Sequence, residues 1–423
     1  MSQPASSRLP SEIWELILFQ AISSQYLDPV CPSSRLWEFL VKTKTPDEFD
    51  EAERHRLRLR CVCSGWRRVL DAESHRLIDG RGSVDHQTAY STKTEQKIGR
   101  ARKVENVSHL SSFLQQTTRW EILCSTAFSD PSDLETLASN IHLHPRLRCL
   151  IFHTNHDNQN PLSLPLTMSL LSNITFLSVK IKFHEPTILQ FEELPVSLPV
   201  LQTLIWSTWF NSEHPFPFEN LDLPSLCHLS LITDPACNRV IEIGRKYSNL
   251  VSLHFLASLD WYAPVRFPPL NHFPRLEELM LNKPFTPDAS TLLSGDHPLE
   301  RLYLHQISIK YLLGLVPKLL EAKPKHLRFI YLDEIWFPQI LRAIREIPLS
   351  SWKALAAEVD VRQIHLRDRW DSDLSTVLKE REDEFTRMEG RAEYGDSPLT
   401  QSTEDKVDYR LGSSLIKEIY PFF

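Results

Sequence analysis

Few residues in this chain have the types and spacing that chemistry demands. His153-x-x-His156-Asp157 brings two imidazoles and a carboxylate together, but it sits in Asn-rich sequence with no matching second pair to complete a metal's ligand set. A turn built from Asn and Asp is the expected reading. Cys61-x-Cys63 falls in a stretch of helical periodicity, where packing is its expected role. The chain carries no Gly-x-Ser-x-Gly, His-Glu-x-x-His, Gly-x-Gly-x-x-Gly or Gly-x4-Gly-Lys-Ser/Thr. Its ten glycines in 423 residues leave few places where backbone could approach a phosphate closely. The expectation is a protein that is not an enzyme, with no catalytic residues, cofactor or metal; a triad assembled from residues distant in sequence stays open.

Charge and composition narrow the partners. A formal charge of −7 with 42% apolar and 24% charged residues is ordinary for a globular chain and gives no global pull toward nucleic acid or anionic membrane. Lys97-Ile-Gly-Arg100-Ala-Arg102-Lys103 is locally basic but lacks the interleaved aromatics of single-strand binders, so a solvated linker is expected. Seven cysteines are an odd, scattered set rather than a paired framework, which points to a reducing compartment. The first apolar segment carries Glu12 and Glu15, unlike the core of a signal peptide, and no run of about 18 apolar residues follows. A soluble protein of the cytoplasm or nucleus, with protein partners and no membrane or nucleic acid, is expected.

The elements that would organise such a chain come from a recurring phrase. Pro145-Arg-Leu147-Arg-Cys-Leu150-Ile-Phe152 returns as Pro199-Val-Leu201-Gln-Thr-Leu204, Pro224-Ser-Leu226-Cys-His-Leu229-Ser-Leu231 and Pro274-Arg-Leu276-Glu-Glu-Leu279-Met-Leu281. Without the proline, the same apolar spacing begins at Ile174, Leu250, Leu299 and Leu327, making eight copies at steps of 23 to 28 residues. Trp120/Leu123 and Trp352/Leu355 lie one step outside the array, where degenerate flanking copies are expected. A period in the twenties predicts a solenoid, in which each unit buries its apolar face on its neighbours. Helices are expected at Ser132 to Ile141, Asn238 to Tyr247, Ile309 to Ala322, Phe337 to Ile347 and Ser372 to Gly395.

The array is similar to leucine-rich repeats, although the family's asparagine appears only at Asn155. That resemblance implies an irregular horseshoe whose inward leucines alternate with concave-face residues such as Ser230, His254, Met280, Tyr303 and Tyr331. Toward the C-terminal copies, Arg301, Tyr303, His305, Phe329 and Tyr331 form the expected target-binding patch, since Tyr and Arg are favoured in interface hot spots.

The N-terminal stretch predicts a helix from Leu9 to Ile22 with Ser11 as its cap, and a second from about Glu51 to Leu70 broken near Ser64-Gly65. The first carries two apolar stripes, Ile13/Leu16/Ile17 and Trp14/Leu18/Ala21/Ile22, where one suffices for its own core. Leu9-Pro10-x-Glu12-Ile13 followed by Leu57-x-Leu59-Arg60-Cys61-Val62-Cys63-Ser64-x-Trp66-Arg67 resembles the F-box, with an unusually long insertion at 23–53. The resemblance implies binding of a Skp-type adaptor, and through it a cullin, by Leu9, Pro10, Ile13, Leu16, Ile17, Val62 and Trp66.

The expected fold is therefore α/β: a helical F-box module at 8–78, a linker at 79–103, and an irregular leucine-rich-repeat horseshoe at 104–360. A C-terminal helix or cap follows at 361–395, then a polar link and apolar tail at 396–423. The expected function is a substrate-recognition adaptor of a Skp/cullin/F-box ubiquitin ligase, holding an unidentified protein target. The alternative is a repeat scaffold acting independently of ubiquitin.

Overall fold

The computed structural model describes residues 11–22, 54–72, 77–79, 103–105, 122–128, 139, 146–156, 171–183, 196–209, 218–233, 237–257, 265–267, 269–282, 285–287, 296–305, 309–332, 337, 348–368, 372–380 and 382–383. The chain divides into two compact units, with the boundary in sequence between Ser225 and Leu226. Leu9, Pro10, the insertion at 23–53 and the C-terminal tail lie outside the described residues.

The first unit opens with helix α1 (Ser11–Ile22), a helical segment at 54–59, and α2 (Ser64–Ala72). Strands β1 (Leu77–Asp79), β2 (Lys103–Glu105), β3 (Ile122–Phe128), β4 (Cys149–His156) and β5 (Phe176–Phe183) follow, then β6 (Val196–Ser197), β7 (Thr203–Trp209) and β8 (Leu221–Asp222). The spatial order β1–β2–β3–β4–β5–β7 is that of the chain, all parallel, while β6 and β8 form a separate short ribbon.

The second unit holds β9 (His228–Thr233), α3 (Cys237–Lys246), β10 (Ser252–Ala257), β11 (Val265–Phe267), β12 (Glu278–Asn282), β13 (Phe285–Pro287), β14 (Arg301–His305) and α4 (Ile309–Glu321). It continues with β15 (Phe329–Leu332), α5 (Leu349–Val361), β16 (His365–Asp368) and α6 (Leu374–Glu380). The order β9–β10–β12–β14–β15–β16 is again parallel and sequential, with β11 and β13 paired apart.

The recurring phrase sets the register. Leu150, Leu177 and Leu204 pair in line across β4, β5 and β7. Leu229, Leu253, Leu279, Leu302, Ile330 and Leu366 do so from β9 to β16. Every one of these side chains is buried, so the row excludes water along these strands. The turn entering each strand is tied to the next by backbone bonds one repeat apart, as in Thr175 N–H to Arg148 C=O and Gln202 N–H to Thr175 C=O, each 2.8 Å.

The α/β expectation holds at that level, but the open horseshoe does not. What forms is broad parallel sheet with few helices among the described residues, and both faces of its central strands are covered. All five residues of β12 and all five of β14 are buried, as is typical of parallel sheet. Ser178, Ile205, Ser230, Ile232, His254, Leu256, Met280, Asn282, Tyr303 and His305, expected on an exposed concave face, are buried too. A second correction concerns Trp352 and Leu355, expected in a flanking strand. They are buried inside α5, and the strand that continues the order is β16, built on Leu366. Of the remaining expected helices, α3 and α4 are present, the expected helix from Ser372 to Gly395 is described only as far as the short α6, and most of its remainder, of 132–141 and of 337–347 lies outside the described residues.

Two helical glycines show how tightly this unit is packed. A Cβ on Gly244 in α3 would meet the His272 carbonyl oxygen at 2.8 Å and the Phe273 ring at 2.8 and 2.9 Å, whereas one on Gly314 in α4 would meet nothing within 4 Å. Alanine is the better helix former by roughly 0.8–1 kcal/mol, so Gly314→Ala is expected to stabilise by about that amount. Gly244→Ala is expected to destabilise by about 1–3 kcal/mol, because backbone must give way. Urea unfolding of the two variants should show shifts of opposite sign.

Candidate functional site

The helical head is small, so its core is quickly counted. Leu18 of α1 and Leu70 of α2 are fully buried, with Leu59, Trp66 and Val69 packed against them. Trp14 and Trp66 meet with ring centroids 5.3 Å apart at a 49° tilt, an aromatic contact of the edge-and-offset kind that such rings favour. Buried Arg56 donates from Nη1 to the Leu70 carbonyl at 2.9 Å, satisfying a carbonyl near the end of α2, and Arg60 pairs with Asp71. The break between the helical segments falls at 60–63, just ahead of Ser64. Cys63 Sγ accepts the Trp66 N–H at 3.5 Å, so the thiol stands where an N-cap acceptor would.

This core leaves large aliphatic side chains in water. Ile13 is 40% exposed, Ile17 44%, Leu57 46% and Val62 60%. Ile13 and Ile17 lie one turn apart on α1, on a stripe about 100° around the helix from the one that carries Leu18 to the core and Trp14 onto Trp66. Of the residues expected to hold an adaptor, Ile13, Ile17 and Val62 are therefore presented outward, and Trp66 belongs to the head's own packing. Leu16 lies in α1, but its side chain is outside the described set, as are Leu9 and Pro10 altogether. Cys61 and Cys63 were expected on a packed face and are exposed instead, because the turn at 60–63 rotates them off the helix. Leu57, which was not among the expected residues, is exposed as well; its signal was an apolar residue in a helix whose inward stripe was already filled.

The expected target patch in the second unit is only partly available. Arg301, Tyr303 and His305 are buried, while Phe329 and Tyr331 are half-buried. Tyr331 stacks on Tyr303 at 4.5 Å and lies 5.9 Å from Phe329, which in turn stacks on His365 at 5.5 Å. The Arg367 guanidinium stands 4.9 Å over the Phe329 ring, a cation–π arrangement. His365 is exposed and its Nδ1 lies 3.0 Å from Asp373. The accessible part of the patch is thus Phe329, Tyr331, His365 and Arg367, shifted one strand toward β16.

Deeper on the same face lies a polar cluster that the spacing alone did not foretell. Ser252 Oγ donates to Glu278 Oε1 at 2.8 Å, and His254 Nε2 donates to the same oxygen at 3.0 Å, with His254 and Glu278 both 0% exposed. The carboxylate can only accept, which places the proton on Nε2 of His254. Arg301 stands in register beside Glu278 on the neighbouring strand but makes its ion pair with Glu300 at 3.1 Å. Full burial makes this cluster a structural fixture of the sheet.

Two further buried histidines make the unit acid-sensitive. Burial holds His228 below its ordinary range, with nearby His254 acting the same way and Glu278 opposing. Burial likewise lowers His297, against the carbonyls of Phe273 and Leu270, to which its Nε2 donates at 3.0 and 3.1 Å. Its Nδ1 accepts the Leu299 N–H at 3.1 Å, an acceptor that protonation would abolish. With folded-state values depressed below 6.5, the unfolded chain binds more protons as pH falls, so the contribution is present above about 6.5 and lost progressively below it. Thermal unfolding is expected to show a melting temperature level from neutral to mildly alkaline pH and falling in acid, with a shallower acid slope in His228→Asn.

Among the described residues, no group of three or more His, Cys, Asp or Glu is placed to hold a metal ion, and no helix is long and apolar enough to cross a membrane. No family model matches the chain, and no curated protein matches it.

Proposed function

We propose that the chain is the substrate-recognition subunit of a Skp/cullin ubiquitin ligase, working in the cytoplasm or nucleus. Its helical head docks a Skp-type adaptor, and through it a cullin, while the second unit holds a protein target. The observation that carries this reading is the exposure of Ile13, Ile17, Leu57 and Val62 on a head whose core is complete without them. Burying apolar surface stabilises an association by roughly 25 cal/mol per Å² before the costs of ordering, so four such side chains on one small module favour a protein partner. The agreement between these exposed positions and the F-box-like motif gives that partner its class. On the second unit, Phe329, Tyr331, His365 and Arg367 supply the aromatic and cationic side chains that suit a target-contact patch. The chain performs no bond chemistry in this scheme.

The test is affinity purification of the full-length tagged chain. Recovery of a Skp-type adaptor together with a cullin is expected, and recovery of partners without either would refute the assignment.

A further inference from the structure

The same head carries a charge pattern that its apolar residues do not explain. Segments 11–22 and 54–72 hold Arg54, Arg56, Arg58, Arg60, Arg67 and Arg68 against Glu12, Glu15 and Asp71, in a chain whose formal charge is −7. Arg56 and Arg60 serve the head itself, the first through the Leu70 carbonyl and the second through Asp71. Arg58, Arg67 and Arg68 are exposed, on the same segment, 54–72, that presents Leu57 and Val62.

We infer that the partner surface this head accepts is acidic: carboxylates surrounding an apolar centre that receives Ile13, Ile17, Leu57 and Val62. Guanidinium groups pair with carboxylates through two parallel hydrogen bonds, and an apolar centre with a charged rim is the anatomy of a protein interface. A nucleic acid fits less well, because Leu57 and Val62 beside the arginines are aliphatic and Trp14 and Trp66 pack on each other, which leaves His55 as the one exposed aromatic ring among the described side chains of the head. The consequence is kinetic. Rim charges govern the rate of encounter and its salt dependence, while the apolar centre governs how long the complex lasts. This inference rests on the head being a docking module for a Skp-type adaptor.

The experiment follows association of the full chain with a purified Skp-type adaptor at about 50 and about 300 mM NaCl, a range over which screening of exposed charges rises steeply. Association is expected to slow roughly tenfold with added salt, and similarly at low salt in R58E/R67E/R68E, with dissociation little changed. R58Q/R67Q/R68Q should fall between, and thermal unfolding of both variants should match wild type, separating charge from folding. In I17A/V62A, dissociation should accelerate instead. Adaptor binding whose association ignores both salt and charge reversal would overturn the acidic partner while leaving the receptor assignment standing. Absence of adaptor binding by wild type would overturn both. Binding of a labelled single-stranded oligonucleotide that R58E/R67E/R68E abolishes, beside salt-insensitive adaptor association, would overturn it in favour of nucleic acid.

Discussion

Replacing Ile13, Ile17 and Val62 together by glutamate is expected to weaken capture of a Skp-type adaptor by the full chain at least about 100-fold. Each truncated hot-spot contact costs on the order of 1–2 kcal/mol, every 1.4 kcal/mol is a factor of ten in affinity, and an unpaired carboxylate buried in an interface adds a desolvation penalty. The same triple change should leave thermal unfolding close to wild type, since all three side chains are exposed in the free protein and surface substitutions fall within about ±0.5 kcal/mol. Leu18→Glu is the informative contrast. It also abolishes capture, but by removing the buried contact with Leu70, so it should lower the head's stability as well. Equal adaptor affinity for the triple variant and wild type would remove the exposed aliphatics from the interface.

Glu278→Ala is expected to destabilise the second unit by about 3–5 kcal/mol, the typical consequence of deleting one member of a buried, hydrogen-bonded ionic cluster. The carboxylate gathers donors from Ser252 and His254 at one oxygen, and it lies in a strand buried along its whole length. Its removal leaves those donors without their acceptor in a place water does not reach. Glu278→Gln keeps an acceptor of the same shape and should cost less, about 1–3 kcal/mol. Urea unfolding of the two variants tests this, and a loss under about 1 kcal/mol for Glu278→Ala would show that the cluster is dispensable to the sheet.

Much of the strand register could be read from the chain. The phrase from Leu147 onward recurs at a spacing that matches the pairing of Leu150 with Leu177 and of Leu253 with Leu279, because an inward leucine must meet its counterpart on the next strand. What escaped was the other face. Ile205, Ile232, Leu256 and Met280 alternate with those leucines, so these strands read as near-continuous apolar runs, which signal burial on both sides. Treating them as solvent-facing led to the open horseshoe. Trp352 and Leu355 misled for a different reason: an i, i+3 pair fits a helical face as well as the start of a repeat, and α5 uses it as a helical face. Glu278, His254 and Ser252 come together only through register across β10 and β12, which no local motif encodes.

The head was legible as two helical pieces, and the surplus of apolar stripes on α1 already implied a partner. Which stripe faces outward was settled by packing, through Trp14 and Leu18 meeting Trp66 and Leu70. The turn at 60–63 decided the fate of Val62 in the same way, since a continuous helix would have turned it inward.

Hydrogen exchange on the full chain, with and without a purified Skp-type adaptor, tests docking through the head most directly. The expected result is slowed exchange in peptides spanning 11–22 and 54–72 when the adaptor is added, with the strands of the second unit unchanged. Unchanged exchange in both head peptides at saturating adaptor, or protection confined to the second unit, would contradict it.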